Sequence, residues 1–240
     1  MQIKRLYAFG SLLVFAGGLA YAADQTILGN SITVKNPSTP DKRKVTGKAK
    51  EKGSTNTIVG DPTVIGATLT ISASGGTPST QTIPLPQGTS ITTGKPFWSG
   101  TALKGFKYKD PKGDNNLGTS PVKSAQIKKT PSGNFSIKVV LTGKLGTVLV
   151  TPPNPGTSAC ILLGITGGDT YSVAFKAGDG LVTNKGALLY KHKKVTMEGS
   201  CVAATTTTTS SSSSTSSSTS TTLYGSPSKA FFERVVGLLD

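Results

Sequence analysis

The sequence predicts an all-β domain, a β-sandwich or open barrel, followed by a Ser/Thr-rich linker and a short C-terminal helix. Three observations carry that prediction. Short runs alternate β-branched or aromatic residues with polar ones, Gly- and Pro-rich turn signals separate the runs, and no stretch inside the domain shows a helical period. Composition agrees. The 240 residues include 29 Gly and 14 Pro but only 15% charged residues, which excludes a coiled coil, a helical bundle and an acidic disordered tail. Counting Gly as apolar gives roughly 45% apolar residues, enough for a core.

Residues 1–22 read as a signal peptide. Lys4 and Arg5 precede the uncharged run Leu6–Ala16, Gly17 and Gly18 break it, and Ala20-Tyr21-Ala22 has the small-x-small form of a cleavage site. The run is shorter than the about 20 residues that cross a bilayer. No other window reaches that length, so no membrane span is expected, and no Cys follows the leader to carry a lipid.

Residues 23–203 form the predicted β-sandwich domain. Ile32–Lys35, Ala67–Ser72, Phe106–Lys109, Phe135–Val139 and Tyr171–Lys176 alternate as strands, one side-chain set facing a core and the other water. Lys107, Lys109, Lys138 and Lys176 fall in the outward phase. Turns are expected at Gly75-Gly76, Pro111–Asp114, Ser132–Asn134, Pro152–Gly156, Gly167–Asp169 and Ala177–Gly180. Cys160 and Cys201 are the two cysteines. In an oxidising compartment they are expected to pair, closing a loop of about 41 residues that stabilises the fold by roughly 4 kcal/mol. Their separation, with one distant His, gives no metal-binding spacing, and no metal or cofactor is expected.

Residues 204–225 form the linker. Thr205–Thr222 is eighteen consecutive Ser or Thr, a solvated, flexible composition. In 226–240, Ser226 can cap and Pro227 suits the first helical position. Phe231, Val235 and Leu238, with Phe232, Val236 and Leu239, then make a wide apolar face. This amphipathic segment is expected either to dock back on the domain or fray, or to act as a tethered docking or export element met by an envelope partner.

Catalytic chemistry has few candidates. His192, the sole histidine, sits in Lys191-His192-Lys193-Lys194 with no neighbouring carboxylate to orient it, and is expected to face solvent on a basic strand. Asp61, Asp110, Asp114, Asp169 and Asp179 occupy turns, where Asp serves local hydrogen bonds. A hydrolase would need two of them to converge. Asp110, Asp114 and Asn116 invite a calcium reading, but Lys112 brings a positive charge to an alternate position, so a hairpin tip is expected instead.

Charge is the strongest signal beyond the fold. Without Lys4 and Arg5 the chain keeps 24 cationic against 11 acidic residues, a net +13. Lys42, Arg43, Lys44, Lys48 and Lys50, together with Lys52, form one cluster, and Lys191, Lys193 and Lys194 another. Such clusters attract acidic polysaccharide or another extracellular polyanion in a salt-dependent way. The bland alternative is a lysine-studded sheet edge that blocks edge-to-edge pairing.

Gly60-Asp61-Pro62-Thr63, Gly66–Leu69, Leu85-Pro86, Trp98, Gly105–Asp110 and Val122–Lys128 form a series. It is similar to one in an uncharacterised family of secreted β-rich proteins, mainly from Gram-negative bacteria of the myxobacterial kind. The resemblance covers about residues 27–201. It implies an extracellular β domain and assigns no catalytic residue. The function expected is therefore non-catalytic: an exported structural or adhesion protein of the cell surface, envelope or extracellular matrix. A glycan- or polyanion-binding module is the first alternative and a hydrolase with turn-borne Asp the second.

Overall fold

A computed structural model describes residues 22–115 and 119–201. Residues 1–21 of the expected signal peptide, the Ser/Thr linker and the C-terminal amphipathic segment lie outside the described residues.

The described chain is built from strands. In order they are β1 (Asp24–Thr26), β2 (Gly29–Lys35), β3 (Lys44–Glu51), β4 (Ala67–Gly75), β5 (Ser79–Leu85), β6 (Trp98–Thr101) and β7 (Gly105–Lys109). There follow β8 (Val122–Lys129), β9 (Phe135–Thr142), β10 (Gly156–Ile165), β11 (Thr170–Phe175), β12 (Leu181–Lys185) and β13 (Leu189–Lys193). All five runs that alternate in the sequence fall on strands, with Lys176 alone lying one residue past the end of β11. Between β3 and β4 one helical turn, α1 (Pro62–Ile65), is started by Asp61, whose carboxylate accepts the Thr63 N–H at 2.8 Å. Here Asp serves as a cap.

Two sheets result. The smaller has the order β1-β11-β10-β4-β5 and the larger β12-β13-β2-β3-β9-β8-β7-β6. Neither closes on itself, so the architecture is a sandwich rather than a barrel. Every pairing is antiparallel except β1 on β11. Inward residues of the larger sheet, among them Ile32, Val45, Val139 and Ile137, share one buried cluster with Leu69, Ile71, Ile161 and Val173 of the smaller. The sheets approach closely at Gly47 in the middle of β3. A Cβ there would stand 2.1 Å from Ile161 Cδ1 on β10 and 3.0 Å from Val139 Cγ2.

Beyond β13 the chain turns at Lys194 (φ 56°), buries Val195 and crosses the outer side of the smaller sheet. Asp179 fixes this return by accepting the N–H groups of Thr196 and Met197. The crossing ends at Cys201, bonded to Cys160 on the outward phase of β10 with Cα atoms 5.6 Å apart. The Cys201 N–H also reaches Ser172 Oγ on β11. The expected disulfide is therefore present, and it clamps the last described residue to the centre of a sheet.

Two sequence expectations fail. Lys42–Lys52 reads as a local cation cluster, or as a lysine-studded sheet edge, and the edge is what the structure overturns. Most of it is β3, an interior strand paired with β2 on one side and β9 on the other. Its lysines alternate with Val45, Gly47 and Ala49, an apolar phase too small to stand out in the sequence. His192 was expected in solvent and is fully buried. Period two sends Tyr190 and His192 inward and Lys191 and Lys193 outward. The imidazole Nδ1 lies 3.1 Å from the Tyr190 hydroxyl, and Nε2 contacts the Asp179 carbonyl oxygen.

Candidate polyanion-binding face

Cross-strand partners in a sheet point to the same side, so register converts separate strands into a surface. Across the larger sheet, one row on the solvent side runs Lys193 (β13), Ser31 (β2), Lys48 (β3), Lys138 (β9), Gln126 (β8) and Lys107 (β7). At ordinary strand spacing this row extends roughly 24 Å. Parallel rows place Lys191 and Lys109 at opposite ends of a line through Thr33, Thr46, Val140 and Ser124, and Lys50 and Lys128 on either side of Ser136. Lys35 stands opposite Lys44.

The distribution is one-sided. The strands of the larger sheet carry thirteen lysines. The five strands of the smaller sheet carry no lysine or arginine, and their outward positions are mainly Ser and Thr. The one carboxylate on a strand of the larger sheet, Glu51, lies in the inward phase of β3. It accepts Leu28 N–H, Ser54 Oγ–H and Asn56 Nδ2–H instead of neutralising the face.

Two pairs are directly opposed lysines: Lys48 with Lys138, and Lys35 with Lys44. Facing like charges destabilise a sheet by about 0.2–1 kcal/mol per pair. Open grooves lie beside both. One, of about 240 Å³, is lined by Lys48, Lys50, Lys138, Gln126 and Ser136. The other, of about 230 Å³, is lined by Lys44, Lys123, Lys144 and Thr142. Each combines ammonium groups with neutral hydrogen-bonding groups, a donor set suited to carboxylate, sulfate or phosphate oxygens.

Of the residues singled out in the sequence, Lys44, Lys48, Lys50, Lys191 and Lys193 meet on this face. Lys42 lies in the 3₁₀ turn before β3, and Lys194 lies past the end of β13. Arg43 is half-buried, its Nε shielded and without a hydrogen-bond partner. Lys35, Lys123 and Lys128 belong to neither cluster in the sequence, since each lies apart from both. Lys107, Lys109 and Lys138 were visible as outward-phase residues but not as neighbours of the clusters.

The carboxylates serve the fold. Asp169 accepts the N–H groups of Ala23 and Val59 and the Thr57 hydroxyl. Hydrogen bonds from the Thr196 hydroxyl and Met197 N–H hold Asp179 below its usual range. Glu51 and Glu198 share a polar groove of about 290 Å³. Burial pushes Glu51 up, against its bonds from Ser54 and Leu28, and the Glu198 charge adds to the rise. Both oxygens of Glu51 are nevertheless occupied by the three donors above. Among the described residues no three His, Cys, Asp or Glu side chains gather as a metal site, and no helix is long and apolar enough to cross a membrane. Compared with protein families, curated proteins and solved structures, the chain matches none.

Proposed function

We propose that this domain is a non-catalytic, exported adhesion or matrix component that holds acidic polymers against the lysine face of its larger sheet. The carrying observation is the segregation of charge: thirteen strand lysines on one sheet and none on the other. Solubility alone would be served by lysines on either sheet, and edge protection would place them on β12 and β6 rather than on interior β3 and β9. The opposed lysine pairs add support, because an arrangement that costs stability in the free protein is relieved by a bound polyanion. The disulfide supports an oxidising compartment. The structural employment of Asp61, Asp169, Asp179 and Glu51 supports a role without catalysis.

Retention on immobilised heparin, followed against NaCl concentration, tests the proposal. The protein is expected to bind at low salt and to elute in a narrow salt window. Replacing Lys48, Lys107 and Lys138 together by Gln should move elution to markedly lower salt, each lost contact reducing the salt dependence. Passage through the column at low salt, or unchanged elution of the triple variant, would overturn it.

A further inference from the structure

The row through Lys193, Lys48, Lys138 and Lys107 does not stop at β7. Ser99 on β6 is the cross-strand partner of Lys107, so the same line reaches the last strand of the sheet. Ser99 also lines a third groove, of about 340 Å³, with Lys95 and Lys109 as its charged walls and Pro96 and Pro111 as its apolar ones. The row therefore joins two of the three grooves. Lys48, Lys138 and Gln126 line the first. Lys107, half-buried, stands between Gln126 and Ser99 as the step to the second. From Lys138 on β9 to Ser99 on β6 is three strand spacings, about 14 Å. The opposite end of the row meets exposed, apolar Leu181 of β12, which offers no anion contact.

The side chains along this track narrow the class of ligand. Among the described residues, no aromatic side chain stands on the row or lines either groove. The aromatic residues of the same strands, Trp98, Phe106, Tyr108, Phe135 and Tyr190, are buried in the core. Single-stranded nucleic acid is held by bases stacked on aromatic rings, and this face presents none to it. A duplex turns many of its phosphates away from a flat surface. Between the ammonium groups stand Ser31, Gln126 and Ser99, whose hydroxyl and amide groups both donate and accept hydrogen bonds. A polymer that carries anionic groups among sugar hydroxyls satisfies both kinds of position.

We propose, as a step that rests on the polyanion reading of the lysine face, that its ligand is a linear acidic polysaccharide running across the strands and filling both grooves at once. One carboxylate or sulfate enters between Lys48 and Lys138, and another between Lys95 and Lys109. Lys107 holds the stretch of polymer that links them. Because both grooves belong to one sheet, the second contact becomes intramolecular once the first has formed. Affinity then depends on whether the ligand is long enough to reach both.

Calorimetric titration of the full chain at low salt with heparin oligosaccharides of increasing length, from the disaccharide upward, reads the span. Affinity is expected to rise on the order of 10²-fold at the length that first reaches both grooves and to level off beyond it. Lys95→Gln combined with Lys109→Gln, both at exposed positions, should remove that step while leaving disaccharide affinity and low-salt retention on long heparin in place. A competition assay at matched charge concentration tests the class of polymer. Polygalacturonate should displace a labelled oligosaccharide about tenfold more effectively than single-stranded DNA, whose bases find no ring to stack on, and more effectively than duplex DNA. Either nucleic acid competing as well as polygalacturonate would overturn the choice of ligand. Affinity that climbs smoothly with length, or a step that survives in the double variant, would overturn the two-groove track and leave the lysine face standing. Failure of long heparin to bind at all would overturn both.

Discussion

Lys48 of β3 and Lys138 of β9 are direct cross-strand partners in the interior of the larger sheet, whose one strand carboxylate, Glu51, lies in the inward phase. Their repulsion and their proposed function have one origin, so a single charge reversal separates them. Lys138→Glu converts a repulsive pair into an attractive one and is expected to stabilise the free protein by up to about 1 kcal/mol. For a domain of this size that raises Tm by about 2–4 °C. The same variant should elute earlier from heparin. Paired melting and elution measurements check both, and a fall in Tm would contradict the assigned register.

Gly47 and Ile161 mark a close approach between the sheets. Gly47→Val forces its side chain into the space of Ile161 Cδ1 and Val139 Cγ2 and should cost about 1–3 kcal/mol. Gly47→Ala asks for less, because Cδ1 ends a side chain that can rotate. Combining it with Ile161→Val removes the obstructing methyl. Urea denaturation of the single and double variants should show a favourable coupling between positions 47 and 161.

The Cys160–Cys201 bond closes a loop with a sequence separation of 41, so reduction or Cys201→Ser should lower unfolding free energy by about 4 kcal/mol. The loss comes chiefly through the unfolded chain. Denaturation of oxidised and reduced protein in parallel measures it, and coincident curves would refute it.

Two carboxylates shape the pH dependence in opposite directions. Asp179 is held below its ordinary value of 3.8. Its contribution is therefore complete above that value and disappears as pH falls through the lower folded-state pKa. Glu51 is raised above 4.5, so the folded state binds its proton more readily, and stability declines as pH rises from about 4.5 through the raised value. Asp179→Asn should flatten the acid limb of a plot of stability against pH, and Glu51→Gln the decline that begins above about 4.5. Urea denaturation between about pH 2.5 and 7 distinguishes the two.

Strand runs such as Ala67–Ser72 and Phe135–Val139 were legible because large apolar residues mark every second position. β3 was not. Its inward phase is Val45, Gly47 and Ala49, and Gly47 is small because Ile161 fills its space, a constraint written on another strand. His192 misled for a related reason. A run of four basic-type residues looks uniform in sequence, whereas a strand divides it between two environments. The lysine face could be read only in part. Outward phase is a local property, but the proximity of Lys48, Lys138 and Lys107 depends on a strand order that joins β3 to β9 and then β8 to β7.

The covalent link between Cys201 and β10 also determines how the domain meets mechanical load. Tension arriving from the residues that follow Cys201 enters at Cys160, in the middle strand of the smaller sheet, and bypasses β13 and the crossing segment altogether. Strands flanking β10 on both sides then share the pull through ladders of backbone hydrogen bonds. With the sulfurs joined, the fold is anchored from its centre; with them reduced, the same tension would peel it from its end.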